Sequence, residues 1–240
     1  MIYAILAAGD GSRLQQEGLS TPKPLLRVGG EPLVDRLLRI FMDNDATEIW
    51  MACNAAMQSV TAHMEHIRQN GLNGRRIPLR LIPTTTPSSA HTLEVLTRHM
   101  PAAPFILTTV DTVFCEEEFS DYTKAFKVQA CNGCDALMGV TTYIEDEKPL
   151  YVDVDEGECI KGFYDEVAAG LAHVSAGIYG LTPATVQPLR QCLQRGEQRM
   201  RNFQRALIAS QLKVMAWEFG KVIDIDHTGD IAEAERMVAR

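Results

Sequence analysis

Short apolar runs alternate with amphipathic stretches through the first half of the chain, and each change of period predicts a new element. "IYAILAA" (2–8) is a continuous apolar run of strand length, as expected of a strand buried on both faces. In "PLVDRLLRIFMDND", Leu33, Leu37, Ile40 and Phe41 recur at helical spacing behind Pro32, which suits a helix start. "EIWMAC" predicts a second strand, and "MQSVTAHMEHIRQNG" a helix closed by Gly71. "LRLIP", "SSAHTLEVLTRHM" (stopped before Pro101) and "FILTTV" continue the alternation. "EEEFSDYTKAFKVQ" follows, its acidic first turn matching the positive end of a helix dipole. Alternating strands and helices predict an α/β fold, a parallel sheet with helices on both faces.

The second half changes character. "DALMGVTT", "LYVDVDE", "CIKGFYDE" and "HVSAGIYGL" are strand-like pieces separated by turn residues, Gly157 and Gly170 among them. They predict a mixed or antiparallel extension of the sheet. Helices are expected around 184–194 and 200–211, then strands at "KVMAWEF" and "KVIDID" and a closing helix from about Asp230. No internal repeat, low-complexity tract or linker interrupts this pattern, so residues 1–240 are expected to form one domain.

Composition narrows the function classes. At 240 residues and 46% apolar, the chain can bury a full core. A net charge of −8, from 23 basic and 31 acidic residues, argues against a nucleic-acid surface. It leaves room for a small anion, which two or three local cations can hold. No apolar run approaches the roughly 18–20 residues of a membrane span. The first apolar run lacks a basic leader and ends in Gly-Asp-Gly, so no signal peptide and a cytoplasmic location are expected. Of the six cysteines only Cys131 and Cys134 are close, and no second pair stands at zinc-ligand spacing. Reduced thiols without a metal are the expectation.

The chemistry concentrates after the first strand, at Gly9-Asp10-Gly11-Ser12. A dinucleotide loop, G-x-G-x-x-G, would need a third glycine where Leu14 stands. A Walker loop would need its lysine far closer than Lys23, which Pro24 follows. Ala7, Ala8, Gly9 and Gly11 carry little or no side chain, so a base or phosphate can approach the backbone closely. Arg13 offers a fork of donors and Lys23 a point charge, its stem fixed between Pro22 and Pro24. Two readings stay open on these residues alone: a phosphate cradle, or a plain strand-to-helix turn beside two solvated cations.

"LAAGDGSRL", then "PKPLL" with Lys23 ten positions after Arg13, then "VGGEPLVDRLL" closely resembles the start of nucleotidyltransferases of the sugar-phosphate pyrophosphorylase type. It resembles less closely the family that attaches nucleotides to molybdopterin. The resemblance implies a Rossmann-like, glycosyltransferase-A-like three-layer α/β/α sandwich on a mostly parallel mixed sheet. It places nucleotide binding in about residues 1–130 and acceptor binding in about 131–240. It implies transfer of a nucleoside monophosphate from a nucleoside triphosphate to a sugar 1-phosphate or similar acceptor. Arg13 and Lys23 would be catalytic, and Leu6, Ala7, Ala8, Gly9 and Gly11 would hold the nucleotide. Ser88 and Ser89 replace the family's usual Gly-Thr or Gly-Ser at the base. Asp111, after "FILTTV", and Asp226 would be Mg²⁺ ligands, with Asp224 as fallback.

The resemblance puts Asp165 and Gly177 at the acceptor, with Lys161 on its phosphate. The family's Glu-Lys-Pro, however, stands earlier here, at Glu147-Lys148-Pro149. A homo-oligomer is compatible with this pattern, and the early end of the sequence predicts no appended β-helix. Four alternatives remain: a cytidylyltransferase for an alcohol phosphate, a molybdopterin nucleotidyltransferase, a non-catalytic regulatory module, and a glycosyltransferase using the Asp153/Asp155 pair. For that pair an exposed acidic hairpin tip is the plainer explanation.

Overall fold

The structure is a computed structural model that describes residues 1–9, 11–144, 148–167 and 170–239. Asp10 of the glycine turn and Glu147 of the Glu-Lys-Pro stretch lie outside the described residues. The chain runs β1 (Ile2–Ala7), α1 (Ser12–Gln16), a 3-10 turn (Lys23–Leu25), β2 (Arg27–Val28), β3 (Glu31–Pro32), α2 (Leu33–Asp43), β4 (Glu48–Asn54), α3 (Gln58–Asn70), β5 (Leu79–Thr84) and α4 (Ser89–His99). It continues with β6 (Phe105–Thr109), β7 (Thr112–Phe114), α5 (Glu116–Cys131), β8 (Ala136–Thr141), β9 (Tyr151–Val154), β10 (Ile160–Tyr164) and β11 (His173–Leu181). A 3-10 turn (Pro183–Thr185), α6 (Val186–Gln194), α7 (Met200–Ala209), β12 (Val214–Phe219), β13 (Val222–Asp224) and α8 (Thr228–Val238) complete it.

The main sheet is mixed. β1 pairs in parallel with β4 and β6, and β4 with β5. β11 then enters antiparallel between β6 and β8, and β12 pairs in parallel with β8. β9 and β10 extend the sheet as an antiparallel pair, so only β10 and β11 run against the other strands. This is the predicted mostly parallel sheet with its antiparallel extension.

Period two explains the layers. Tyr3, Ile5 and Ala7 of β1 point into one core with Leu37, Phe41, Met64, Phe119 and Phe126 of α2, α3 and α5. Ile2, Ala4 and Leu6 point into the other, with Leu93, Leu96, Leu189, Phe203 and Leu207 of α4, α6 and α7. The β1 run lacks alternation because both of its faces are covered. Among the described residues no helix is long and apolar enough to cross a membrane.

A third, smaller core was not predicted. Leu14, Leu26, Val28, Leu33, Val113, Ile223, Ile225 and Ala234 join α1, the β2–β3 hairpin, a separate β7–β13 ribbon and α8. These strands are two or three residues long, too short to leave a periodic signal. α8 also begins at Thr228, earlier than the expected Asp230, because Asp230 serves as the acidic partner in its capping box.

Candidate functional site

The chain leaves β1 for β4 and β5 on one side and returns as β6 on the other. β1 and β6 therefore flank the point where strand order reverses, where open α/β sheets bind ligands at their carboxyl ends. Gly11 follows β1 with φ +64°, a left-handed conformation that favours glycine, and starts α1 as its N-cap. Asp111 follows β6, and its carbonyl accepts from Ile225 N at 3.0 Å, tying the strand end to the β13 segment. Ile223 and Ile225 are buried, which turns Asp224 and Asp226 together to the opposite side.

Three carboxylates and two cations meet here. Lys23 Nζ donates to Asp111 Oδ2 at 2.6 Å and to Asp226 Oδ1 at 2.9 Å. Arg13 Nη1 donates to the other oxygen of Asp226 at 2.5 Å. The Lys23 side chain is only 12% exposed. Burial pulls its pKa down, but Asp111 and Asp226 outweigh this and hold it above the usual lysine value.

Asp224 Oδ1 accepts from Thr112 Oγ1 at 2.8 Å, and Thr112 in turn lies 2.5 Å from Thr109 Oγ1. Asp224 is exposed on the wall of the second cleft, and its carboxyl is pushed up to about 7, first by desolvation and then by the Asp111 carboxylate. Gly177, with φ +71°, lies against this pair; a Cβ there would stand 3.0 Å from Thr112 Oγ1 and 3.7 Å from Asp224 Oδ1. A carboxyl with a folded pKa above its unfolded value costs stability as pH rises between the two. The metal-free protein should therefore lose stability from about pH 4 to 7 through this group. Thermal melts across that range should show a slope that Asp224→Asn flattens; an unchanged slope would contradict the assignment.

Two clefts open on either side of this cluster. The first, about 390 Å³, is lined by Leu6, Ala7, Ala8, Gly9 and Gly11, by Ser88 and Ser89, and by Lys23 and Asp111. Every expected nucleotide-binding residue is on its wall. Thr86, Thr92 and Thr109 line it too and were not anticipated. The Ser88 hydroxyl donates to Gln198 O at 2.5 Å and caps α4. Its position on the wall is as expected, but its hydrogen bonds are already used within the protein. The second cleft holds Arg13, Asp224 and Asp226 with Tyr143, Ser175 and His227.

The structure does not bring Lys161 or Asp165 to the wall of either cleft. Lys161 Nζ sits 2.6 Å from Asp155 Oδ2, across the turn between β9 and β10. Asp155 also accepts from Gly157 N and Cys159 N, both at 2.9 Å, so it builds the turn, whereas Asp153 lies within β9 opposite Gly162 rather than at the hairpin tip. Asp165 is held by Arg201 at 2.5 Å and Arg205 at 2.7 Å. Lys161 sits at a break in the β9–β10 register, between Ile160 and Gly162, and a motif's spacing does not reveal such a break. Cys131 is exposed and Cys134 buried, and both thiols are free.

A clasp that the sequence did not reveal sets the position of Asp226. Glu17, just past α1, accepts from Thr228 N at 2.8 Å and lies 2.5 Å from His227 Nδ1. The His227 imidazole and the Thr228 amide hold its carboxyl down to about 2. Asp230 Oδ2 accepts from Asp226 N at 2.8 Å and His227 N at 2.6 Å. Glu17 joins the glycine-turn helix to the start of α8, and Asp230 ties the Asp226 turn to that same helix. Glu17→Ala should reduce turnover about tenfold by loosening this junction, with a melting temperature within a few degrees of the native one. Unchanged kinetics would show that the clasp does not position Asp226.

The donor set also fits the divalent cation that the family resemblance implies. Among the described residues no three acidic, histidine or cysteine side chains form a complete cage. Asp111 and Asp226 nevertheless converge on one cation, the Lys23 ammonium. Mg²⁺ is commonly bound by one or two carboxylates, with substrate phosphates and water completing its shell. Oxygen ligands that already meet around a positive charge suit that arrangement.

A cleft at the switch point of the sheet, bordered by Lys23 and Asp111 and adjoining the Arg13–Asp226 pair, sets the site in an α/β protein whose sequence can be placed in a family. The sequence matches the MobA-like NTP transferase domain over residues 3–207, and the chain belongs to that family. It is 26% identical over 189 residues to the mannose-1-phosphate guanylyltransferase catalytic subunit beta of Drosophila melanogaster, covering 76% of this chain and 48% of that protein. It is 25% identical over 246 residues to a bifunctional IPC transferase and DIPP synthase of Rubrobacter xylanophilus, covering 98% of this chain and 51% of that protein. The chain thus spans about half the length of the curated relatives it matches. The structure of an inositol-1-phosphate CTP transferase from T. maritima superposes with a TM-score of 0.78 at 16% identity, covering 100% of this chain and 96% of that one. That likeness establishes the shared fold.

Proposed function

We propose that this chain catalyses nucleotidyl transfer from a nucleoside triphosphate to a sugar 1-phosphate or similar phosphorylated acceptor. A phosphate oxygen of the acceptor attacks the α-phosphorus. A new P–O bond forms as the bond to the β-phosphate oxygen breaks, and pyrophosphate leaves. The nucleophile is ionised at neutral pH, so no general base is needed; alignment and charge neutralisation carry the reaction.

The observation that carries this reading is the ionic cluster joining the two clefts. Lys23 and Asp111 face the first, while Arg13 and Asp226 face the second. The first cleft, built almost wholly from residues before 112, would hold the triphosphate against Ala7, Ala8 and the glycine turn. The second, apart from Arg13, is built from residues after 140 and would hold the acceptor. On this reading one domain would divide into a nucleotide half and an acceptor half. Lys23 would stabilise charge gathering on the α-phosphoryl oxygens, and Arg13 would swing from Asp226 to the departing pyrophosphate. Bound through Asp111 and Asp226, Mg²⁺ would supply further neutralisation of phosphate charge. A cytoplasmic location agrees with such substrates.

An alcohol phosphate with CTP is the second reading, supported by the likeness of 98% of this chain to a bifunctional IPC transferase and DIPP synthase. Pyrophosphate release measured for each common triphosphate against sugar 1-phosphates and alcohol phosphates tests both. Release requiring both substrates is expected. Its absence with every pair would favour a non-catalytic module.

A further inference from the structure

We propose that the acceptor carries a second anionic group, a carboxylate or phosphate remote from the reacting phosphate, and that an arginine groove centred on Arg199 binds it. This rests on the nucleotidyl-transfer reading and names the acceptor's chemical class. The groove lies outside both clefts and is lined by Asp165, Glu197, Gln198, Arg199, Arg201 and Arg205, with neighbours from the same turn.

Its charge runs against that of the protein. The chain as a whole carries −8, yet the groove gathers three guanidinium groups against two carboxylates. Arg195, just outside, takes up Glu197 at 2.8 Å. Asp165 alone answers Arg201 and Arg205, giving one oxygen to each. Arg199 is exposed on the turn that opens α7. A planar carboxylate already bridges two of these forks, which shows the chemistry the groove accepts. A ligand anion would add to Arg199 beside that pair.

The groove is also in reach of the acceptor. Arg201 Nη2 donates to Lys148 O at 3.0 Å, next to Pro149 on the wall of the second cleft. Gln204, one turn along α7 and almost fully buried, donates to Ser175 Oγ on the same wall at 3.0 Å. From the other side, Gln198 O takes the Ser88 hydroxyl at the rim of the first cleft. The groove therefore meets both clefts at their edges. An acceptor with its phosphate at Asp226 and its body directed along α7 would extend its far end toward Arg199. A neutral acceptor would leave the Arg199 guanidinium to water, while Arg201 and Arg205 keep Asp165.

Matched acceptor pairs test the inference: glucose 1-phosphate against glucuronic acid 1-phosphate, and glycerol 3-phosphate against 3-phosphoglycerate. Each pair differs by one carboxylate. In the full chain, at least one carboxylate member should exceed its neutral partner about tenfold in kcat/KM, as a charge-assisted contact would give. Arg199→Gln should bring that ratio near one, and Arg199→Lys should restore part of it. Equal turnover within both pairs, or a preference that survives Arg199→Gln, would overturn the inference while leaving nucleotidyl transfer standing. Calorimetric titration of the same acceptors reads the groove without catalysis. Tighter binding of the carboxylate member that Arg199→Gln abolishes would support the inference even if no pyrophosphate were released, a result that would count against the transfer reading alone.

Discussion

Lys23→Ala is expected to lower kcat by about 10²–10³-fold, with the fold intact. The magnitude follows from losing one preorganised charge where transition-state charge develops, roughly 2.7–4 kcal/mol. The geometry makes the loss specific. The ammonium is anchored by two carboxylates from distant parts of the chain, and its stem leaves a stretch stiffened by Pro22 and Pro24. No other described cation pairs with Asp111. Asp111 and Asp226 are 20% and 37% exposed, so water can reach both once the lysine is gone and the protein should still fold. Steady-state kinetics with a thermal melt check this: a fall in kcat with little change in Tm is expected, and native-like turnover would contradict the role. Because the carboxylates hold the lysine pKa above its usual value, its deprotonation should not limit activity anywhere between pH 7 and 10.

Asp111→Asn carries the second large effect. It keeps the side chain's size but removes a charge that faces both Lys23 and the site suited to Mg²⁺. The Mg²⁺ concentration giving half-maximal activity should rise at least about tenfold, since even partners behind the ligands change metal affinity by that much. kcat at saturating Mg²⁺ should also fall, because Lys23 loses half of its anchoring. A Mg²⁺ requirement unchanged from the native protein would remove Asp111 from the ligand set, and Asp224 would become the candidate beside Asp226.

The parts legible in the sequence are those with a local cause. The β1 run, the amphipathic spacing of α2 and the capping of α3 by Gly71 each write their element into a few consecutive residues. The first cleft was legible for the same reason: its walls come from the glycine turn, the Lys23 stretch, the start of α4 and the end of β6. What escaped depends on distant pairing. The β7–β13 ribbon joins two three-residue strands more than a hundred positions apart. Glu17 meets His227 across 210 residues, and nothing in either neighbourhood marks the partner. Lys161 illustrates the converse. Its type and place suited a phosphate contact, but at the register break between β9 and β10 it meets Asp155. The arginines of α7 drew no notice because the protein's overall charge is acidic, and only folding gathers them around Asp165.

On the proposed reading, Lys23, Asp111 and Asp226 together move the α-phosphoryl group of a triphosphate onto an acceptor phosphate. Incubation with α-³²P-labelled triphosphate, Mg²⁺ and the acceptor panel tests it most directly. Label should appear in a product containing the acceptor, with one pyrophosphate released per transfer, and the rate should collapse in Lys23→Ala. Label that stays in the triphosphate with every acceptor, or that transfers equally well without Lys23, would contradict it.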